Sequence, residues 1–297
     1  MSNYLLFRTD RIGDFMLTAI LINSIKRNEP NSNITIVSSK KNYDYIKSFS
    51  NVNEVILLEN TFINKIKLIY KLRLKYYDYI IIHDSKKRSS LISLFLRYNI
   101  KINTNNKSNI SYINEIKIIL NKLNFNFIDS DLNTLELRGY NSSNFSNKDF
   151  ILFHFDEKWI YNDYISEFTN IEPSKDDLIL FINLLLITSN KKVIITTGMN
   201  CPKILNDILD SKLNSNVKIY KKLDFFDLEK LISKCSLLIS CHGSVSHVAA
   251  AHQIKQIDII DKKKFEFYSK WTAHFRNYSL LYRKQFSELS KEIIKLL

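Results

Sequence analysis

Short, continuous apolar runs recur along the chain, each closed by a polar turn and followed by a helical pattern. That alternation constrains the fold more than any other feature. In the first half the runs are 4-YLLF-7, 34-ITIVSS-39, 54-EVILL-58 and 79-YIIIHD-84. In the second half they are 150-FILFHF-155, 193-VIITT-197, 217-VKIY-220, 237-LLISC-241 and 256-QIDII-260. Strands that are apolar on both faces belong to parallel sheets covered by helices on either side. Helical patterns such as 14-DFMLTAILINSIKR-27 and 224-DFFDLEKLISK-234 fill the gaps. A chain of 297 residues is long for one core, and two domains are expected. The polar stretch 139-GYNSSNFSNKD-149 reads as the linker. The expected architecture is therefore α/β, with two Rossmann-like domains, 1–145 and 146–297, whose parallel sheets face across a cleft. The segment 287-SELSKEIIKLL-297 reads as a closing amphipathic helix.

Glycine is scarce, 4 of 297 residues, so each one marks a backbone position with special demands. Gly13, Gly198 and Gly243 each follow an apolar run and precede a helix-like segment. That is where an open α/β sheet places its ligand loops, at the carboxyl ends of the strands. The first such loop, 8-RTDRIGDF-15, gathers Arg8, Asp10, Arg11 and Asp14 around Gly13. Asp14 has two readings. It can cap or enter the first turn of the following helix, where the dipole favours a carboxylate. It can also stand at a cleft as a base that takes a proton from a hydroxyl. The loop is neither GxGxxG nor a P-loop, which argues against dinucleotide redox chemistry and NTPase activity.

The net charge of +13 invites anionic partners. The basic residues are spread along the chain, and no recognition-helix, RNP or zinc-finger pattern directs them at nucleic acid. Lys86, Lys87 and Arg88 form a local cluster after the fourth run. Cations at a helix start oppose the dipole, so a bound anion there would serve as a counter-charge; a solvated basic helix start is the plainer alternative. Three cysteines without CxxC spacing fit a reducing compartment. The N-terminus lacks a secretory pattern and no run is long enough to span a membrane, so the expected location is cytoplasmic. The basic, aromatic stretch 261-DKKKFEFYSKWTAHFRNY-278 reads as a cleft edge, a membrane-facing surface or a plain solvated helix.

The segment 240-SCHGSVSHVAAAH-252 crowds a cysteine, three histidines and three serines together. His242, His247 and His252 are spaced five apart, which turns about 140° around a helix and does not line up metal ligands. Cys241 and His242 are adjacent and point to opposite faces if they end a strand, which disfavours a nucleophile–base pair. A strand end, a turn at Gly243 and a helix entered through Ser244 and Ser246 remain, an arrangement able to hold a diphosphate.

Taken in order, these elements resemble glycosyltransferase family 9, the ADP-heptose:lipopolysaccharide heptosyltransferases. The opening RTDRIGDFMLTAILINSIKR is similar to the family's strand, D-R-I-G-D-like turn and helix. The loop 83-HDSKKRSSLIS-93 looks like its acceptor loop, and 154-HFDEKW-159 like the segment whose lysine meets the donor phosphates. The stretch 231-LISKCSLLISCHGSVSHVAAA-251 is similar to its donor-binding element. The resemblance implies a GT-B fold with an acceptor domain first, a nucleotide-sugar domain second, and a last helix that packs back on the first domain. It implies inverting, metal-independent transfer without a cofactor, onto an anionic glycolipid or oligosaccharide of a bacterial surface glycan such as lipooligosaccharide core, O-antigen or capsule. A peripheral contact with the inner face of the cytoplasmic membrane accompanies that expectation. Asp14 falls on the general-base position and Lys158 on the phosphate-binding lysine. Thr197, Gly198, His242, Gly243, Ser244, Ser246 and His247 fall on the donor side, and Arg11, Gly13, Lys86, Lys87 and Arg88 on the acceptor side. Two positions depart from the family. No carboxylate follows Gly198 before Asp207, and His242 stands where the family usually carries aspartate. Both leave a UDP-, GDP- or CMP-sugar donor open. An epimerase or phosphorylase on a similar scaffold, and a non-catalytic glycan- or partner-binding member, are the remaining alternatives.

Overall fold

The computed structural model describes residues 1–104, 109–134, 149–209 and 215–297. Apart from Asp149, the expected linker with Gly139 lies outside the described residues. The chain divides into two compact units, Met1–Ser142 and Ser143–Leu297.

In the first unit, β1 (Asn3–Phe7), β2 (Asn33–Ser38), β3 (Glu54–Leu57), β4 (Tyr76–Ile82) and β5 (Arg97–Asn103) form a sheet in the order β3-β2-β1-β4-β5. Every pairing is parallel. Tyr4, Leu5, Leu6 and Phe7 are all fully buried, as a central strand covered on both faces requires. The unit's helices are α1 (Ile12–Asn28), α2 (Tyr43–Lys47), α3 (Phe62–Arg73), α4 (Lys87–Ser93) and α5 (Tyr112–Lys122). Helices α3 and α4 and the turn after α4 bury Leu68, Leu72, Ile92 and Leu96 in one apolar cluster with Leu5, Phe7, Ile80 and Ile82.

The second unit repeats the plan. Its strands are β6 (Phe150–His154), β7 (Lys192–Thr196), β8 (Val217–Tyr220), β9 (Leu237–Cys241), β10 (Gln256–Ile260) and β11 (Tyr278–Tyr282). They are parallel throughout, in the order β11-β10-β9-β6-β7-β8. Its helices are α6 (Lys175–Ser189), α7 (Lys203–Leu209), α8 (Phe225–Lys234), α9 (Ser244–Ala251), α10 (Phe265–Thr272) and α11 (Phe286–Lys295). The apolar residues Phe286, Leu289 and Ile293 of the closing helix α11 lie in the second unit's core, with Trp159 and Phe181.

Each sheet reverses its strand order at its first strand, so β1 lies beside β4 and β6 beside β9. Chain connections diverge at such a switch point and leave a crevice at the carboxyl ends of the strands, where ligands bind in open α/β sheets.

Candidate functional site

The loops after β1 and β4 meet at the first switch point. Asp84 ties them together. Buried, it accepts hydrogen bonds from the Thr9 hydroxyl (2.6 Å), the Ser89 hydroxyl (2.7 Å) and the Lys86 amide (3.1 Å). Lys86 returns the link by donating to the Thr9 carbonyl at 3.1 Å and pairing with Asp10. Arg88 donates to the Thr9 hydroxyl at 2.9 Å and to Asn60 at 3.3 Å. Beneath these loops, the Arg8 Nε donates to the Thr18 hydroxyl at 2.7 Å, and that hydroxyl lies 2.8 Å from His83 Nδ1. Burial, reinforced by the Arg8 charge, holds His83 well below the ordinary imidazole range. The ring is therefore neutral and shares one hydrogen bond with the Thr18 hydroxyl, its direction set by the tautomer.

Asp14 is the third residue of α1, and its Oδ2 accepts the Arg11 backbone N–H at 2.9 Å. One carboxylate oxygen thus closes the helix start, and among the described residues Oδ1 accepts no hydrogen bond. Asp14 lines a cavity of about 780 Å³ together with Arg11, Lys40, Lys41, Lys86 and Arg88. Asp10 and Glu59 also line it, so five cations face three carboxylates. The structure brings the expected Arg11, Asp14, Lys86 and Arg88 together. Lys87 points to solvent and is not in the lining, and Gly13 is buried. Lys40 and Lys41, after β2, were not singled out from the sequence. In a lysine-rich chain a KK pair carries no local signal; only the strand order brings it to this cavity.

At the second switch point, the loop after β6 presents Lys158. Its ammonium pairs with buried Asp156, which also accepts the Lys158 amide at 3.2 Å and lies 3.5 Å from His154 Nε2. Burial alone would raise the Asp156 carboxyl. The Lys158 ammonium and the His154 hydrogen bond outweigh it and hold the group well below the carboxylate range. Burial would likewise lower Lys158, but the Asp156 charge reverses that and raises it. Arg283 fixes the Lys158 carbonyl at 2.9 Å and the Thr169 carbonyl at 2.9 Å.

The turn after β9 lies against Lys158: a Cβ placed on Gly243 would stand 2.8 Å from the Lys158 Nζ. Gly198 is similarly confined, since a Cβ there would meet the Glu157 carboxylate. Thr197 spends its hydroxyl internally, donating to the Gly198 carbonyl at 3.0 Å and accepting the Lys222 amide at 3.0 Å.

His242 and Ser246 converge on Asp258, a fully buried carboxylate in β10. The His242 Nδ1 lies 2.6 Å from its Oδ2, which also accepts the Tyr278 hydroxyl at 3.2 Å, and the Ser246 hydroxyl donates to its Oδ1 at 2.8 Å. Ser246 also accepts the Gly243 N–H at 3.3 Å, so its hydroxyl organises the turn from within. Ser244 is the first residue of α9 and half-buried. His247 is buried between Trp271 and Phe275, with its ring 5.4 Å from that of His242. Burial, with smaller effects from His242 and His274, keeps His247 well below the ordinary range. The segment 261–278 therefore packs on these histidines, with Tyr268 4.6 Å from His242, as well as presenting a basic surface. Burial pushes the Cys241 thiol up to about 12, so it is no thiolate nucleophile. Among the described residues, no three His, Cys, Asp or Glu side chains are grouped to hold a metal ion.

No protein-family profile matches the chain, and no curated protein matches it in sequence. Solved structures do match in fold. E. coli heptosyltransferase WaaC with ADP aligns over 99% of this chain and 98% of its own, at 12% identity and a TM-score of 0.74. A glycosyl transferase family 9 protein from Veillonella parvula aligns over 99% and 88%, at 14% identity and 0.70. E. coli ADP-heptose lps heptosyltransferase II aligns over 99% and 97%, at 15% identity and 0.68. Two parallel Rossmann-like units, with reversed strand order at β1/β4 and β6/β9, thus give this chain the GT-B fold of the family 9 heptosyltransferases.

Proposed function

We propose that the protein is a glycosyltransferase of the family 9 kind. It moves a sugar from a nucleotide-diphosphate donor held by the second unit to a hydroxyl of an anionic surface-glycan acceptor held by the first. The observation that carries this reading is the Asp14 cavity, in which a carboxylate with one uncommitted oxygen stands among five cations. A base of this kind suits a hydroxyl nucleophile, and the cations suit an acceptor bearing carboxylates or phosphates.

In the proposed reaction the Asp14 Oδ1 takes the acceptor's hydroxyl proton as that oxygen attacks the anomeric carbon from the face opposite the leaving group. The C–O bond to the diphosphate breaks with its electron pair, and the anomeric configuration inverts. Negative charge grows on the departing diphosphate. The Lys158 ammonium and the turn at Gly243 and Ser244 take up that charge, as groups already in place before the bond breaks. Asp156 holds Lys158 charged and aimed. His242, held by Asp258 through Nδ1, sits in the same turn and contacts the donor beyond its phosphates. The enzyme works in the cytoplasm, where nucleotide sugars are available.

Asp14→Asn keeps the helix-closing oxygen and removes the base. It is expected to lower turnover by about 10²–10⁴-fold while nucleotide affinity stays nearly intact. Unchanged turnover would remove Asp14 from this role. A melting panel of ADP-, UDP-, GDP- and CMP-sugars identifies the donor, because a ligand that binds only the folded state raises the midpoint. A panel in which no nucleotide shifts the midpoint would overturn the reading.

A further inference from the structure

A different surface of the first unit has no role in this chemistry. Helix α3 turns Leu68 and Leu72 inward onto the sheet. On its opposite side Phe62, Ile66, Tyr70 and Leu74 follow one another at four-residue spacing, with Ile63 beside them. These five are between 51% and 76% exposed. Surface helices ordinarily place polar residues there. Helix α4, anchored in the same apolar cluster, adds exposed Leu91, with Leu94 and Phe95 just past its end. Soluble chains rarely leave so many large apolar side chains together in water without a partner.

The charge around them selects the partner. Residues 60–77 hold five Lys or Arg and no Asp or Glu, and residues 85–104 hold the same balance. Glu54 neutralises part of this through Lys71 and Lys75, yet Lys67 and Arg73 remain exposed on the α3 surface. Apolar and aromatic side chains interleaved with cations on a helix face match the boundary between anionic headgroups and acyl chains. A protein partner would demand the same apolar contact without requiring that every charged residue of α3 itself be basic. The patch also runs directly into the cavity: Asn60 and Thr61 line it, and Phe62 and Ile63 follow them in the chain.

We propose that the outer face of α3, with the exposed side chains of α4, docks the protein on the surface of an anionic lipid bilayer. Among the described residues no helix is long and apolar enough to cross a membrane, so the attachment is interfacial. Docking here places the mouth of the Asp14 cavity beside the headgroups, where a lipid-linked anionic acceptor would present its sugar. The docking stands on the patch alone and holds whether or not the cavity binds glycan.

The test is flotation of the full-length chain with phosphatidylcholine vesicles, with and without phosphatidylglycerol. Binding is expected only with phosphatidylglycerol, weakening as salt rises. Ile66→Glu with Tyr70→Glu should lower the bound fraction about tenfold, with an unchanged melting temperature because both positions are exposed. Ile187→Glu, at an equally exposed apolar position of the second unit, should bind as the parent does. Undiminished binding by the double variant, an equal loss in Ile187→Glu, or binding to neutral vesicles alone would overturn the proposal. So would a dimer seen by light scattering that the double variant dissolves, since that would assign the face to a second copy of the chain.

Discussion

Gly243 is held to glycine by a neighbour rather than by its backbone. Its φ of 178° is extended and open to any residue, but a methyl group there would displace the Lys158 ammonium. That ammonium ends a flexible side chain, so Gly243→Ala should change the melting temperature little while weakening nucleotide diphosphate binding about tenfold, or ~1.4 kcal/mol; calorimetric titration measures it. The Asp156–Lys158 pair carries a pH signature. Asp156 is depressed, so its contribution is present above the unfolded carboxylate pKa of about 4 and is lost as pH falls below it. Lys158 is raised, so its contribution holds below about pH 10.4 and is lost above. Lys158→Met leaves Asp156 buried, with the His154 Nε2 3.5 Å away and no lysine ammonium beside it. The variant should be less stable than the parent at neutral pH, and the gap should narrow below about pH 4 as Asp156 takes a proton. Denaturant titrations at several pH values read this out, and a pH-independent gap would show that the loss is one of packing. Asp258 accepts three donors, and an amide in its place must turn N–H groups toward at least one of them. Asp258→Asn is expected to cost about 1–3 kcal/mol by the same measurement.

Among the described residues, nine of the eleven strands are legible as apolar runs, and seven of these are inner strands, where a parallel strand must be apolar on both faces. The two that are not, β5 and β11, lie at sheet edges. In β5 the run RYNIKIN alternates and is mostly exposed, and every residue of β11 is only half-buried. The loops at strand ends are equally legible, since glycine and charge interrupt the apolar pattern there. The partners that topology brings to those loops are harder to see: Lys40 and Lys41 come from the loop after β2, and Asp258 from inside β10. A lone carboxylate in QIDII was the available signal, because a charge at a buried strand position must have donors waiting for it. In the closing helix, Leu289 has no exposed surface. Leu289→Ala should destabilise the second unit by about 2–5 kcal/mol, measured by urea unfolding.

At the scale of the whole chain, each unit has its own apolar core and its own switch-point loops. Hydrogen exchange should separate their ligands. A nucleotide diphosphate is expected to slow exchange at residues 154–158 and 242–247, and an anionic acceptor at residues 8–14 and 83–88. Protection confined to the first unit by nucleotide would reverse the assignment. The pairings that juxtapose these loops, Leu6 with Ile81 and Phe153 with Ile239, are main-chain ladders indifferent to side-chain identity. Neighbourhood at the site is therefore inherited from the backbone. Sequence drift can rewrite most of the molecule without dispersing its working parts, which makes a fold shared at 12% identity unsurprising. For the protein engineer, a combinatorial library confined to the exposed positions of those four loops would vary ligand preference and leave the strand pairings untouched.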